Sequence, residues 1–292
     1  AIITSGPPHS LHLIGMKLKE QLGVKWISDF RDPWTEIDYF SQLPLTERAK
    51  KKHHELEQQV LKKSDAVLVI GKTMKEKYSP FQKNIHILSN GFDSMENQAV
   101  ISELDLKFSI THIGMMNADR NPIVFWRVIA DLCKENREFS NDLQIKLIGK
   151  IAPEVTESIA TYDIKQVVKI PYLLHHQVKE HQQTSQVLLL SINKVPSAKG
   201  IITGKIFEYL QAKRPIVAIG PVDGDLAEIL ETTNAGTLVD FDDEVTMKAL
   251  ILELYSAYKR KALHVESENI QQYHRKSLTE KLTEILKETI QN

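Results

Sequence analysis

The 292-residue chain has a single cysteine, Cys133. One thiol cannot close an intrachain disulfide, so the fold is not a disulfide scaffold and a reducing compartment is favoured. An excess of either charge is also missing: 37 Lys and Arg face 38 Asp and Glu, a formal net charge of −1. No global field therefore recruits nucleic acid or anionic lipid. No run reaches the ~18 apolar residues that a spanning helix needs, and no secretory signal pattern is visible. Basic clusters such as Lys50-Lys51-Lys52 read as a solvated helix face.

What is present is an ordinary globular composition, 42% apolar and 26% charged, long enough for two domains with a core each. Short β-branched runs alternate with helical periods. The expected strands are 1–4, 24–28, 66–70, 85–88, 108–113, 143–148, 166–170, 187–191, 215–219 and 236–239. One helix carries Leu11, Ile14, Leu18 and Leu22 as an apolar stripe; others span about 45–63 and 121–137. This alternation predicts an α/β fold of two doubly wound, Rossmann-like domains with parallel sheets. The stretch 91–107 is polar and turn-rich. It suggests a first domain over 1–96, a linker over 97–107 and a second domain over 108–270. Residues 271–292 form a closing helix with Leu278, Leu282, Ile285 and Leu286 on one face. The chain opens directly on an apolar strand, which reads as the middle of a sheet. Earlier strands are expected to precede it, leaving the first domain incomplete.

In open α/β sheets ligands bind beyond the carboxyl ends of strands. After strand 187–191 comes "INKVPSAKGIITGKIFEYL", a loop running into a helix at Thr203 or Gly204. A helix start favours anions such as phosphate. Gly204 permits close approach, and Lys205 adds a full charge. Glu208, one turn deeper on the same face, could accept hydrogen bonds from ribose hydroxyls. Equally, Glu208 could pair with Lys205 at the surface. After strand 108–113, "GMMNADRNP" starts on Gly114 and delivers Arg120 just before a helix that Pro122 can open. Arg suits bidentate phosphate contact, though a solvated Arg beside a helix cap explains it too. In the first half, His9 and His12 follow Ser5-Gly6-Pro7-Pro8. No third ligand lies nearby for a metal site, so they read as a partly exposed, hydrogen-bonding pair. Asp29, Arg31, Asp32 and Trp34 end the next strand, either as an acceptor surface or as a salt-bridged loop. His53-His54 and His175-His176 read as solvated helix positions, and Met115-Met116 as packing.

These residues resemble a family. "GKIFEYLQAKRPIVAIGP", followed by "GDLAEIL" and "AG", is similar to the donor-binding signature of GT-B glycosyltransferases of the family 4-like, group 1 type. "SGPPHSLHLIGMKLKEQLGVKWISDFRDPW", "SDAVLVIGKTMKEKY" and "ILSNGFD" resemble the first domain of bacterial surface-polysaccharide members. "SLTEKLTEIL" resembles their C-terminal helix, which returns to the first domain. The resemblance implies two Rossmann-like domains facing a cleft, with a UDP- or GDP-type sugar donor on the second and the acceptor on the first. It implies no metal and no other cofactor. The diphosphate would meet Arg120, Lys205, Gly204, Thr203 and Gly114; the ribose would meet Glu208; the base would meet the backbone near Tyr172 and Leu173. His9 and Asp32 would serve the acceptor side as catalytic groups. Members often carry a Glu eight residues before the ribose Glu; here that position is Gly200.

The expected function is transfer of a sugar from a nucleotide-diphosphate sugar to a glycan or lipid-linked acceptor in cell-surface polysaccharide synthesis, with retention. The place is the cytoplasm, free or peripherally attached to the inner face of the membrane, with no nucleic-acid partner. Two rivals are a nucleotide-sugar 2-epimerase, which would need more catalytic carboxylates and histidines, and a non-catalytic nucleotide-sugar-binding protein, which Gly200 would suit.

Overall fold

Apolar strands, covered on both faces, set the two sheets. The computed structural model describes residues 1–93 and 103–291. The chain divides into two compact units, residues 1–93 with 271–292, and residues 94–270. Most of the linker expected over 97–107, residues 97–102, lies outside the described residues.

Unit 1 runs β1 (Ile2–Gly6), α1 (Ser10–Leu22), β2 (Trp26–Phe30), α2 (Glu47–Lys63), β3 (Ala66–Val69), α3 (Lys72–Tyr78) and β4 (Ile85–Ile87). Its sheet is parallel, in the order β1-β2-β3-β4. In unit 2, β5 (Phe108–Ile113), α4 (Ile123–Glu135), α5 (Arg137–Asp142), β6 (Leu143–Ile148), α6 (Pro153–Thr161) and β7 (Val167–Ile170) come first. Then follow α7 (His175–Thr184), β8 (Val187–Ser191), α8 (Lys205–Ala212), β9 (Ile216–Ile219), α9 (Asp225–Thr233), β10 (Gly236–Val239) and α10 (Glu244–Lys259). These six strands are also parallel, in the order β10-β9-β8-β5-β6-β7. The chain therefore winds outward from β5 to β7, then returns to lay β8 on the other side of β5. That reversal is a topological switch point.

The last helix, α11 (Arg275–Gln291), belongs to unit 1. Its Ile285, with Leu278, Leu282 and Leu286, packs on Ile27, Ala66, Leu68 and Leu88. Backbone bonds from Phe92 N to Tyr273 O (3.0 Å) and from Arg275 N to Phe92 O (2.9 Å) pin its entry. Gly91 is required there, because a Cβ would lie 2.2 Å from the Tyr273 carbonyl oxygen.

The α1 stripe is a correction. Leu11, Ile14 and Leu22 are 40%, 55% and 65% exposed. The buried face instead carries His12 and Gly15, with Leu13 and Met16 packed against the core. A small residue chose that face: a Cβ at Gly15 would come within 2.4 Å of Trp26 Nε1. Close approach of helix to strand outweighed the wider aliphatic stripe. At the start of α4, Pro122 is the cap rather than the first helical residue. Strand ends shift by one or two residues, as with β2, which begins at Trp26 instead of residue 24.

Candidate functional site

Gly114, Arg120, Lys205 and Glu208 gather at the switch point of unit 2. Gly114 directly follows β5, with φ +105°, a region that glycine enters without strain. Its amide donates to Ile148 O at 2.7 Å. The Lys205 side chain, from the first turn of α8, lies over it: a Cβ on residue 114 would come within 2.7 Å of Lys205 Cε and 2.9 Å of Nζ. Gly149, after β6, packs on Gly114 in turn; its Cβ would lie 2.9 Å from the Gly114 carbonyl oxygen. Two glycines thus make the floor on which the lysine rests.

Lys205 Nζ lies 3.3 Å from His112 Nε2 and donates at 3.3 Å to Met115 O. It makes no ion pair with Glu208 or with any other described carboxylate, so the surface-pair explanation for these two residues fails. Burial lowers its pKa to about 8, the nearby Arg120 charge adds to that, and Glu208 opposes it. A shift of that size represents roughly 3 kcal/mol held against the charged amine. An anion in contact would relieve it.

His112 gave no signal in the sequence beyond being a polar residue in an apolar strand. It is fully buried in β5, and its Nδ1 lies 3.1 Å from Leu189 O. A carbonyl only accepts, so Nδ1 carries the proton and Nε2 presents a lone pair to Lys205. Burial, with the Lys205 charge beside it, pushes its pKa down to about 3. The ring is therefore a neutral prop that aims the lysine.

Arg120 closes a short 3-10 turn over Ala118–Arg120. Its Nε donates to Asn193 Oδ1 at 2.6 Å, and Lys194 N donates to Asp119 O at 2.8 Å. The loops after β5 and β8 are thereby stitched together, with Asn193 buried between them. Glu208 accepts at Oε2 from Gln182 Nε2 at 2.9 Å; Oε1 makes no hydrogen bond among the described residues. The 3.6 period put Glu208 one turn past Lys205, but Gln182 arrives from α7 and only the tertiary structure reveals it.

The helix start differs from its expected form. Thr203 Oγ1 accepts from Lys205 N at 3.2 Å, and Thr203 O accepts from Ile206 N at 3.2 Å. Part of the free N–H set is thus already used, and anion attraction there falls to the side chains. Space above Gly204 is open, since an added Cβ would meet nothing within 4 Å. Tyr172, 85% exposed, and the half-buried Leu173 lie beyond the carboxyl end of β7. No hydrogen bond or ring contact joins them to Lys205, Arg120 or Glu208 among the described residues. His175 and His176 are exposed in α7. Of the two methionines, Met116 is core and Met115 is 55% exposed.

In unit 1 the expected partly exposed histidine pair is largely enclosed. His12 is fully buried. His9 stacks on Trp34 at 5.4 Å between centroids, and on Phe30 at 5.6 Å. Both rings are pushed down to about 4, chiefly by burial. Trp34 is core rather than ligand surface. It donates from Nε1 to His53 Nδ1 at 3.0 Å, so His53 is not a merely solvated position. Asp29 and Arg31 are committed to structure. They pair at 3.2 Å, Asp29 accepts from Ser5 Oγ at 2.8 Å, and Arg31 donates to Leu88 O at 2.9 Å and to Asn90 Oδ1 at 2.5 Å. Asp32 is left, half-buried, its pKa raised by burial against the pull of Arg31.

The depressed histidines carry a pH consequence. Their folded values lie below the unfolded 6.5, so the unfolded chain binds more protons in the window between. Stability is complete above about 6.5 and falls as pH drops toward 4, by about 1.4 kcal/mol per pH unit for each ring. Urea midpoints for unit 1 are expected to fall between pH 7.5 and 4.5. A flat series would contradict the enclosure of His9 and His12.

Two Rossmann-like units, each a parallel sheet interleaved with helices, define the chain's class: it has the GT-B fold. Solved structures with this fold to which the chain is similar include HepE of Anabaena, in complex with UDP-glucose. That match has 10% identity and a TM-score of 0.67, over 98% of this chain and 78% of that one. Sucrose-phosphate synthase of Thermosynechococcus elongatus matches with 14% identity and a TM-score of 0.68, over 98% and 73%. WaaG, a glycosyltransferase involved in lipopolysaccharide biosynthesis, matches with 11% identity and a TM-score of 0.61, over 95% and 84%. No family model and no curated protein matches the sequence. No helix among the described residues is long and apolar enough to cross a membrane.

Proposed function

We propose that the chain is a glycosyltransferase that moves a sugar from a nucleotide-diphosphate sugar, of UDP or GDP type, to a glycan or lipid-linked acceptor. The observation that carries the reading is Lys205: a largely desolvated cation with no carboxylate partner among the described residues, beside Arg120, at the switch point of unit 2. A diphosphate would supply an anion to Lys205, with Arg120 beside it. Glu208, held by Gln182 with one oxygen uncommitted, would take the ribose hydroxyls. Tyr172 and Leu173 would flank the base.

As the glycosidic bond to the diphosphate breaks, negative charge grows on the leaving oxygen. Arg120 and Lys205 would meet that charge in place, fixed by Asn193 and His112 before reaction begins. Such preorganised charge stabilises a transition state without reorganisation at the moment of reaction. In this scheme the two cations do the work of a metal, so the reaction runs without one. Unit 1 would hold the acceptor, with His9 and Asp32 on that side. Cell-surface polysaccharide synthesis in a bacterium, at the cytoplasmic face of the membrane and with retention at the sugar carbon, is the setting we favour.

One observation favours a second reading, a nucleotide-sugar-binding protein without turnover. Gly200, in the short turn Ala198–Gly200, leaves no side chain to contact the sugar. A thermal-shift screen of UDP, GDP, ADP, CMP and their sugars tests binding. A nucleotide at 100 times its Kd adds about 2.7 kcal/mol to stability, and UDP or GDP is expected to raise the midpoint. No shift with any nucleotide would end both readings. Binding without hydrolysis or transfer would select the second.

A further inference from the structure

β5 and β8 flank the switch point and separate before they end. Their register runs Ile110↔Val187 and Thr111↔Leu188 and stops there. By contrast, β5 stays paired with β6 as far as Ile113↔Ile148, and β8 with β9 as far as Ser191↔Ile219. In a parallel ladder each amide that faces a neighbour donates to the carbonyl one residue before its register partner. Leu188 N does so toward Pro215 O at 2.9 Å, on the β9 side, so Leu189 faces β5. Gly114 N does so toward Ile148 O, on the β6 side, so Ile113 N faces β8. Continued to its end, the β5–β8 register would bond Ile113 N to Leu189 O.

A side chain from α8 takes that rung instead. Ile113 N donates to Tyr209 Oη at 3.1 Å, and Tyr209 Oη lies 3.5 Å from Leu189 O. A hydroxyl accepts and donates at once, so it can bridge the two. One link of about 2.9 Å is thus replaced by two longer steps through a single oxygen. All three residues are buried. The separation matters for what the strand ends carry. β5 leads into Gly114, over which Lys205 lies. β8 leads to Asn193, which accepts from Arg120 at 2.6 Å. His112 Nδ1 lies 3.1 Å from the same Leu189 carbonyl. Tyr209 follows Glu208 directly and stands one turn past Lys205 on α8, so its hydroxyl ties that helix to both strand ends.

We infer that the Tyr209 hydroxyl is a spacer that holds β5 and β8 apart at their carboxyl ends and thereby positions Gly114, His112 and Lys205 for the donor. The ligand part rests on the nucleotide-sugar reading of this site; the spacing does not. Tyr209 acts through the backbone of Ile113 and Leu189 and is a positioning residue. Without its hydroxyl two buried backbone groups lack a partner, a state that native structures rarely hold. The strands then close the rung directly, which draws Gly114 toward β8 and narrows the crevice.

The test compares the whole chain with Tyr209→Phe, which keeps the buried ring and removes only the hydroxyl. NMR scalar coupling across a hydrogen bond, between Ile113 N and the Leu189 carbonyl carbon, is expected to be absent in wild type and present in the variant. UDP titrated by calorimetry should bind the variant about tenfold more weakly, the scale of one well-formed hydrogen bond. Tyr255→Phe is the control. It deletes a hydroxyl that donates to Asp142 at 2.9 Å, beside the amino end of β6 in the same unit, and should keep the wild-type affinity. Coupling already present in wild type, or absent from folded Tyr209→Phe, would overturn the spacer; the wild-type spectrum decides the point if the variant does not fold. UDP held equally by wild type and Tyr209→Phe, or weakened equally in both variants, would overturn the positioning role. Absence of UDP binding to wild type would strike the donor reading, while the coupling still decides the spacer.

Discussion

Lys205→Ala is expected to weaken UDP binding roughly 30-fold, about 2 kcal/mol, within the range for a charge-assisted hydrogen bond. The free protein should not suffer. Lys205 is held largely away from water, with His112 and the Met115 carbonyl as its hydrogen-bond partners among the described residues, so removing it relieves a desolvation cost. Affinity and stability should thus move in opposite directions, which a simple packing defect would not produce. The pH dependence gives a second signature. The folded value of Lys205, about 8, lies below its ordinary 10.5. Between those values the unfolded chain binds more protons, so ligand-free stability rises with pH across that window. Binding works the other way: a bound diphosphate favours the charged amine, so affinity should fall by up to tenfold per unit above about pH 8. Calorimetry from pH 7 to 9.5 should show that slope in wild type and lose it in Lys205→Ala. Equal affinities with the same slope would remove Lys205 from the site.

Glu57→Ala should cost unit 1 about 3–5 kcal/mol, the scale of leaving buried polar partners stranded. Glu57 is buried on α2 and organises the loop after β2. Its Oε1 accepts from Tyr78 Oη at 2.8 Å and from Trp34 N at 3.2 Å; its Oε2 accepts from Thr35 Oγ1 at 2.5 Å. Thr35 N adds a longer bond to Oε1 at 3.4 Å, so truncation removes the acceptor for four donors at once. Trp34, on whose ring His9 stacks, would keep its bond to His53 but lose the carboxylate that holds its backbone. Glu57→Gln keeps an acceptor oxygen and should cost clearly less. Urea unfolding reads both, and a loss below about 1 kcal/mol for Glu57→Ala would show that the loop is held by other contacts.

The two expectations differ in how readable their residues were. Lys205 was legible because a glycine, a cation and a carboxylate follow an apolar strand in a fixed local pattern. Glu57 was not. It lies among charged residues in "KKHHELEQQ", and nothing local distinguishes it from the solvated face around it. The same holds for Asn193, Gln182 and His112, whose partners are 73, 26 and 93 residues away. The α1 stripe failed for a related reason. Periodicity counts apolar residues, whereas the helix settled on the face where Gly15 admits Trp26.

By itself the sequence determined the alternation of strands and helices, the parallel sheets, the amphipathic closing helix and the strand ends where ligand chemistry belongs. Those follow from local periodicity and from residues that restrict the backbone. Only the tertiary structure decided which polar groups lost water and which found a partner. Among the described residues it left Lys205 without a carboxylate, gave Glu208 to Gln182, committed Asp29 and Arg31 to the scaffold, and enclosed His9 and His12 among aromatic rings. The reason is that desolvation and hydrogen-bond pairing depend on all neighbours in space, and at these sites most of those neighbours come from distant segments of the chain.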